Sequence, residues 1–232
     1  MYARKVGDRT LTFGVSGLLV RNSLVMYDHE TGSLWSHLSG QALAGPLAGE
    51  GLQLIASTQA SWGSWRRAHP ETLLLAFDPS LVGDPYNTYY RSPQLGVDHD
   101  QADLVVDIRL GAKEKVIGLR LGGHVKAYSV KTLAKLKVVN DIVGDIPVVV
   151  VFDGNTESGA VFRRDPAGKA LTFRAGSKPL ELMDAESGST WDGLIGRATS
   201  GPLSGMVLEQ IPITYAFWFA WSDFYPEADL FG

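Results

Sequence analysis

Residues 28–71 read DHETGSLWSHLSGQALAGPLAGEGLQLIASTQASWGSWRRAHPE, and residues 184–227 read DAESGSTWDGLIGRATSGPLSGMVLEQIPITYAFWFAWSDFYPE. The two stretches align without a gap at an offset of 156, with 20 identities over 44 positions. Asp28 recurs as Asp184, Gly32 as Gly188, Trp35 as Trp191 and Gly45-Pro46-Leu47 as Gly201-Pro202-Leu203. Trp62, Trp65 and Pro70 recur as Trp218, Trp221 and Pro226. A repeat of this length predicts one structural unit present twice.

The unit itself reads as β structure. Leu24-Val25-Met26-Tyr27-Asp28 is strand material, and the loop His29-Glu30-Thr31-Gly32 returns it as a hairpin. The Asp carboxylate accepts turn N–H groups, and Gly supplies a positive φ. Glycines at 40, 45 and 49 punctuate a meander of short strands that ends near Leu52–Ile55. Ser61 to His69 predicts a short helix capped by Ser57 or Ser61 and stopped by Pro70. Its tryptophans stand three apart, on one face, and packing in the core is expected for both Trp pairs. Leu73-Leu74-Leu75-Ala76-Phe77 is expected to follow as a strand.

Outward from the unit, Arg9 to Ser16 predicts a strand, and residues 78–115 break the repeat with Pro-, Asp- and Tyr-rich sequence. Val116–Leu121 and Val125–Tyr128 predict a hairpin around Gly122-Gly123, and Ser129 caps a helix to Leu136. Val138–Val143 and the apolar run Ile146–Phe152 predict a second hairpin around Gly144-Asp145. The expected fold is mostly β (α+β), internally duplicated, with short helices and a pseudo-twofold. Unit A covers residues 1–78, a connector 79–115 and unit B 116–232, packed as one globular body.

Leu11-Thr12-Phe13 also matches Leu171-Thr172-Phe173, at an offset of 160. On that alignment Met1 stands opposite Val161, and residues 116–160 have no counterpart in unit A. Unit A is therefore expected to be incomplete at its start, as in a fragment. A bare or loosely covered sheet edge beside Arg9–Val15, open to self-association, is the consequence.

Composition narrows the function classes. The 232 residues carry a net charge of −4, so binding of nucleic acid through excess positive charge is not expected. No apolar run reaches the length of a membrane span, and residues 1–8 have no signal-peptide pattern. Cysteine is absent, which removes disulfides, thiolate metal sites and thiol nucleophiles. No Walker A, dinucleotide or Gly-x-Ser-x-Gly fingerprint is present, so no cofactor is implied.

Two groups of residues could carry chemistry. Asp28, His29, Glu30 and His37 gather carboxylate and imidazole near the first hairpin, with Trp35 between them, a set able to hold a ligand or exchange protons. The alternative is that Asp28 shapes the turn, because Asp184 repeats it while His29 and His37 become Ala185 and Gly193. Asp98, His99 and Asp100, with Asp103, form the densest set of oxygen and imidazole ligands. They are the candidate metal residues, although they lack calcium-loop spacing. The basic residues Arg120, Lys126, Lys131, Lys135 and Lys137 read as a solvated face.

The segments Leu11–Leu19, Leu24–Trp35, Ala44–Gly49, Trp62–Trp65 and His69–Thr72 together resemble the prokaryotic domain of unknown function 3179. Val139-Asn140-Asp141-x-Val143-Gly144 and Gly188-Ser189-Thr190-Trp191-Asp192 are similar to it as well. The resemblance spans nearly the whole chain and brings no activity with it. It implies a cysteine pair in a Cys-Pro-x-Cys-Gly segment upstream of unit A, and a metal or redox site there would be missing from this chain. The expected function is a non-catalytic binding or assembly domain, with an extracytoplasmic location. The alternative is a hydrolase or metal-dependent enzyme using the carboxylate and His groups of unit A and the connector.

Overall fold

The computed structural model describes residues 1–76, 86–96 and 107–232. Strands β1 (Lys5–Val6) and β2 (Arg9–Thr10) form a small ribbon. Strands β3 (Phe13–Val20), β4 (Ser23–Asp28), β5 (Leu34–Ser36) and β6 (Ala42–Ala44) follow as an antiparallel meander in sequence order. Helices α1 (Trp62–Ala68) and α2 (Asn87–Arg91) come next, then β7 (Lys115–Leu121), β8 (His124–Ser129), α3 (Val130–Leu136), β9 (Val138–Val143), β10 (Ile146–Asp153) and β11 (Ser158–Arg163). A second meander is built from β12 (Phe173–Ala175), β13 (Glu181–Asp184), β14 (Thr190–Asp192) and β15 (Arg197–Ser200). The chain closes with β16 (Ile213–Phe217), α4 (Trp218–Phe224) and β17 (Asp229–Phe231). The fold is mostly β, as the sequence predicts.

The two remaining sheets explain the apolar runs. Strands β16, β7, β8 and β17 form a four-stranded sheet in that order, with β17 parallel to β8. Strands β11, β10 and β9 form the other. The run Val148–Phe152 on β10 is buried throughout because side chains alternate across a strand and both faces are covered. Val148, Val150 and Phe152 face Ile117, Leu119, Tyr128 and Leu133. Val149 and Val151 face Phe162, Leu182 and Trp191. Strand β10 is thus the wall between two cores.

The meanders carry the same hydrogen bonds at the 156-residue offset. His37 N donates to Leu24 O as Gly193 N does to Leu180 O, and Leu52 N to Gly40 O as Leu208 N does to Gly196 O. Gly45 and Gly201, with φ of 94° and 89°, let the backbone close on Ser33 and Ser189. A Cβ at either glycine would meet the serine Cα at 2.7 Å. The capping expectations also hold: Ser61 and Ser129 accept from Ser64 N and Thr132 N.

Three expectations are corrected. Trp218 and Trp221 are fully buried, but Trp62 is 41% exposed and Trp65 is half-buried. Helix α4 lies on β7 and β16, and the Trp221 ring fills the space that a Cβ on Gly118 would need. No strand is packed against α1 in that way among the described residues. Residues 73–76 form no strand; Leu73, Leu74 and Leu75 are 94%, 63% and 88% exposed. Arg9–Ser16 is broken into β2 and β3, because Leu11 turns into the core and bonds back to Arg4 O. Strand β3 lies at the end of its sheet with Val15, Leu18 and Leu19 exposed. A bulge at Ser16–Leu18, with Gly17 at φ 79°, disrupts that edge and makes it poor pairing material.

The two helical pairs should therefore respond differently to truncation. Trp218→Ala should lower the unfolding free energy by about 3–5 kcal/mol, and Trp62→Ala by less than about 1 kcal/mol. Urea unfolding of the two variants measures both, and equal losses would contradict the assignment.

Candidate functional site

The residues singled out around the first hairpin fall into two environments. Asp28, the last residue of β4, is fully buried. Its carboxylate accepts the Trp35 indole N–H at 2.9 Å, the Thr31 amide at 2.5 Å and the Thr31 hydroxyl at 2.8 Å. Asp184 repeats this with Trp191 at 2.8 Å, the Ser187 amide at 2.6 Å and the Ser187 hydroxyl at 2.9 Å. Burial pushes both carboxyl groups up, but the indole, hydroxyl and amide donors together hold them below the usual Asp value. The Ser33 hydroxyl beside Thr31 accepts the Leu47 amide at 3.0 Å, and Ser189 accepts Leu203 at 2.9 Å. Phe13 and Phe173 meet the two indoles edge-on, at 5.7 and 5.5 Å. Asp28 and Trp35 thus have no surface free to meet a ligand, and their geometry is that of a closed turn.

His37 lies elsewhere. It is exposed at the rim of a cavity of about 450 Å³ that Tyr2, Leu54, Thr58 and Tyr215 also line. Partial desolvation lowers its imidazole pKa, even though much of the residue stays in solvent. The structure does not bring His37 and the Asp28 carboxylate into one polar group. The Tyr2 hydroxyl donates to Leu38 O at 2.7 Å. The Tyr215 hydroxyl is buried without a hydrogen-bond partner among the described residues, and burial raises its pKa. Sequence reading passed over Tyr215, since nothing in Ile-Thr-Tyr-Ala-Phe distinguishes a cavity tyrosine from a core one.

A second cavity, of about 490 Å³, opens between α1 and the second meander. Arg67, Lys178, Glu181 and Asp192 stand around it. Its carboxylates are engaged locally: Glu181 accepts the Ser177 amide and hydroxyl, and Asp192 the Leu194 amide. Asp98, His99 and Asp100 lie outside the described residues. Among the described residues no three His, Asp or Glu side chains are grouped closely enough to hold a metal ion.

The Val139-Asn140-Asp141 segment holds two devices. Asn140 bonds both the N–H and the C=O of Phe173, at 2.8 and 2.7 Å, so a side chain continues the ladder beside β12. Asp141 accepts the Tyr128 hydroxyl and the Lys126 ammonium, each at 2.7 Å. Burial pushes Asp141 up, but Lys126 and Tyr128 hold it below its ordinary value.

A family model described as protein of unknown function (DUF3179) matches residues 1–228, and the chain belongs to that family. No curated protein and no solved structure matches the chain.

The buried carboxylates set an expected pH response. A carboxyl held low in the folded state stabilises above the unfolded Asp pKa of about 3.9, and that stabilisation is lost as pH falls through the folded value. Asp28→Ala leaves the Trp35 N–H buried and unpaired, at a cost of about 1–3 kcal/mol near neutrality. The gap between wild type and Asp28→Ala should then shrink below about pH 4. Denaturant melts across pH measure it, and a gap that stays constant to low pH would contradict the assignment.

Proposed function

We propose that the chain is a non-catalytic binding and assembly domain made of two copies of one module, the first of which presents an open face. The observation that carries this reading is the contrast between matched positions. Trp218 and Trp221 are sealed in a core with Val116, Ala127 and Ala228, while Trp62 and Leu73–Leu75 stand in solvent. Large apolar side chains left exposed so close together in the chain are the kind of surface that another body covers. The buried carboxylates support the same reading. Asp28, Asp184 and Asp141 are each committed to donors within the fold.

A second reading, a small-molecule site or hydrolase centre at the His37 cavity, is favoured by the buried and unpartnered Tyr215 hydroxyl. A ligand oxygen reaching that hydroxyl would complete its hydrogen bonding. It would act without Asp28, which is closed off in the core.

The dye 8-anilinonaphthalene-1-sulfonate, which fluoresces on apolar surface, tests the open face. The wild-type chain should bind it. A Trp62→Ser/Leu74→Ser double variant should bind several-fold less with an unchanged melting point. Equal dye binding by the two proteins would remove the α1 face as the binding surface.

A further inference from the structure

We infer that the face of α1 and residues 73–76 is a docking site for a β-hairpin of another polypeptide segment, patterned like β7–β8. The inference rests on reading the α1 face as a binding surface, and it names the occupant.

The local backbone is the same at both helices. The N-caps Ser61 and Phe217 have φ/ψ of −63°/151° and −74°/149°, and the C-caps His69 and Tyr225 have −132°/74° and −134°/71°. Thr72 N donates to His69 O as Ala228 N does to Tyr225 O. Trp65 lies against His69 at 4.1 Å, as Trp221 does against Tyr225 at 4.6 Å. Residues 57–61 and 73–75 therefore flank α1 in sequence as β16 and β17 flank α4.

What differs is the space between the flanks. In the second half, β7 and β8 fill it, β7 antiparallel to β16 and β8 parallel to β17. In the first half, residues 73–76 make no backbone hydrogen bond among the described residues. Strand periodicity identifies the free edge of residues 57–61. Trp218 N donates to Glu114 O, so the alternate residues Thr214 and Ala216 face β7. Their counterparts are Thr58 and Ala60. Gln59 O and Ser61 N are already engaged, with Gly159 N at 3.1 Å and Ser158 Oγ at 2.9 Å, on the opposite edge. The backbone groups of Thr58 and Ala60 have no hydrogen-bond partner among the described residues. Two backbone segments without partners among the described residues, flanking the Trp62/Trp65 helix in sequence, correspond to the two strands that hold β7–β8 in the second half.

The chemistry of the occupant follows from its counterpart. It is a two-stranded hairpin with apolar residues toward the helix and a glycine under Trp65, where Gly118 lies under Trp221. Backbone pairing supplies affinity, and the alternating side chains supply specificity. The chain's own β7–β8 cannot serve, in this copy or a second one, because β16 and β17 hold both of its edges.

The test uses the whole chain, extended ahead of Met1 by a Gly/Ser linker of about 30 residues and a second copy of residues 115–129. Leu230 pairs with Ala127, so Leu74 should pair with the added Ala127. Leu74→Cys in the chain and Ala127→Cys in the added copy give the protein its only two cysteines. With oxidised glutathione as the two-electron acceptor, intramolecular disulfide formation in the monomer is expected. Hydrogen exchange at the Thr58 and Ala60 amides should slow about tenfold or more. If no disulfide forms and those amides are protected only in dimers, a second copy is the occupant and the hairpin assignment fails. If they are already protected in the unextended monomer, the face is covered and the open-face reading fails with it.

Discussion

A carboxylate with no access to water must find its donors inside the protein, and this fold is arranged around two such carboxylates. Asp28 and Asp184 each end a strand, and each binds the indole N–H of the tryptophan seven residues on. That bond crosses the hairpin and joins one strand to the next. The intervening Thr31 or Ser187 supplies an amide and a hydroxyl, which sets the loop conformation. The neighbouring serine carries the connection to the amide of Leu47 or Leu203 beyond the third strand. One buried anion thus ties three strands together. A charge can be buried at such a site because charge-assisted donors surround it on several sides.

With that hub in place, the surroundings decide what each meander can do. The second meander packs on β10, which divides its side chains between two cores, and its helix α4 closes over β7. The first meander has its own small core around Leu11, Trp35, Ala42 and Leu52. Its helix carries the same tryptophans at the same spacing, with no sheet like β7–β8 against them among the described residues. The same pair of tryptophans therefore sits in a core in one half and at a surface in the other. Burial of a tryptophan is a property of its neighbours as well as of its own helix.

That division explains what was legible in the sequence. The hairpin loop, the glycine turns, Ser61 and Ser129 as caps and the buried run on β10 are short-range features, and each is found where the pattern placed it. Trp62, Trp65 and Leu73–Leu75 depend on a distant sheet, so their repeat partners suggested burial or pairing that the first half does not have. Asp28 and Trp35 stood out as candidates for chemistry because of their residue types. Their roles emerged only when the carboxylate proved to be enclosed by its own turn. Tyr215 was invisible because an orphaned hydroxyl leaves no mark in sequence. Asn140 and Asp141 stand out as a motif, but the backbone that Asn140 holds, at Phe173, lies 33 residues away, and Asp141 turns instead to Tyr128 and Lys126.

Proton exchange at the indole nitrogens, followed by NMR, tests the Asp–Trp hub most directly. The indole N–H groups of Trp35 and Trp191 should exchange only when the whole protein unfolds, and far more slowly than that of Trp62. If either exchanges as fast as Trp62, its bond to the buried carboxylate does not hold the meander together.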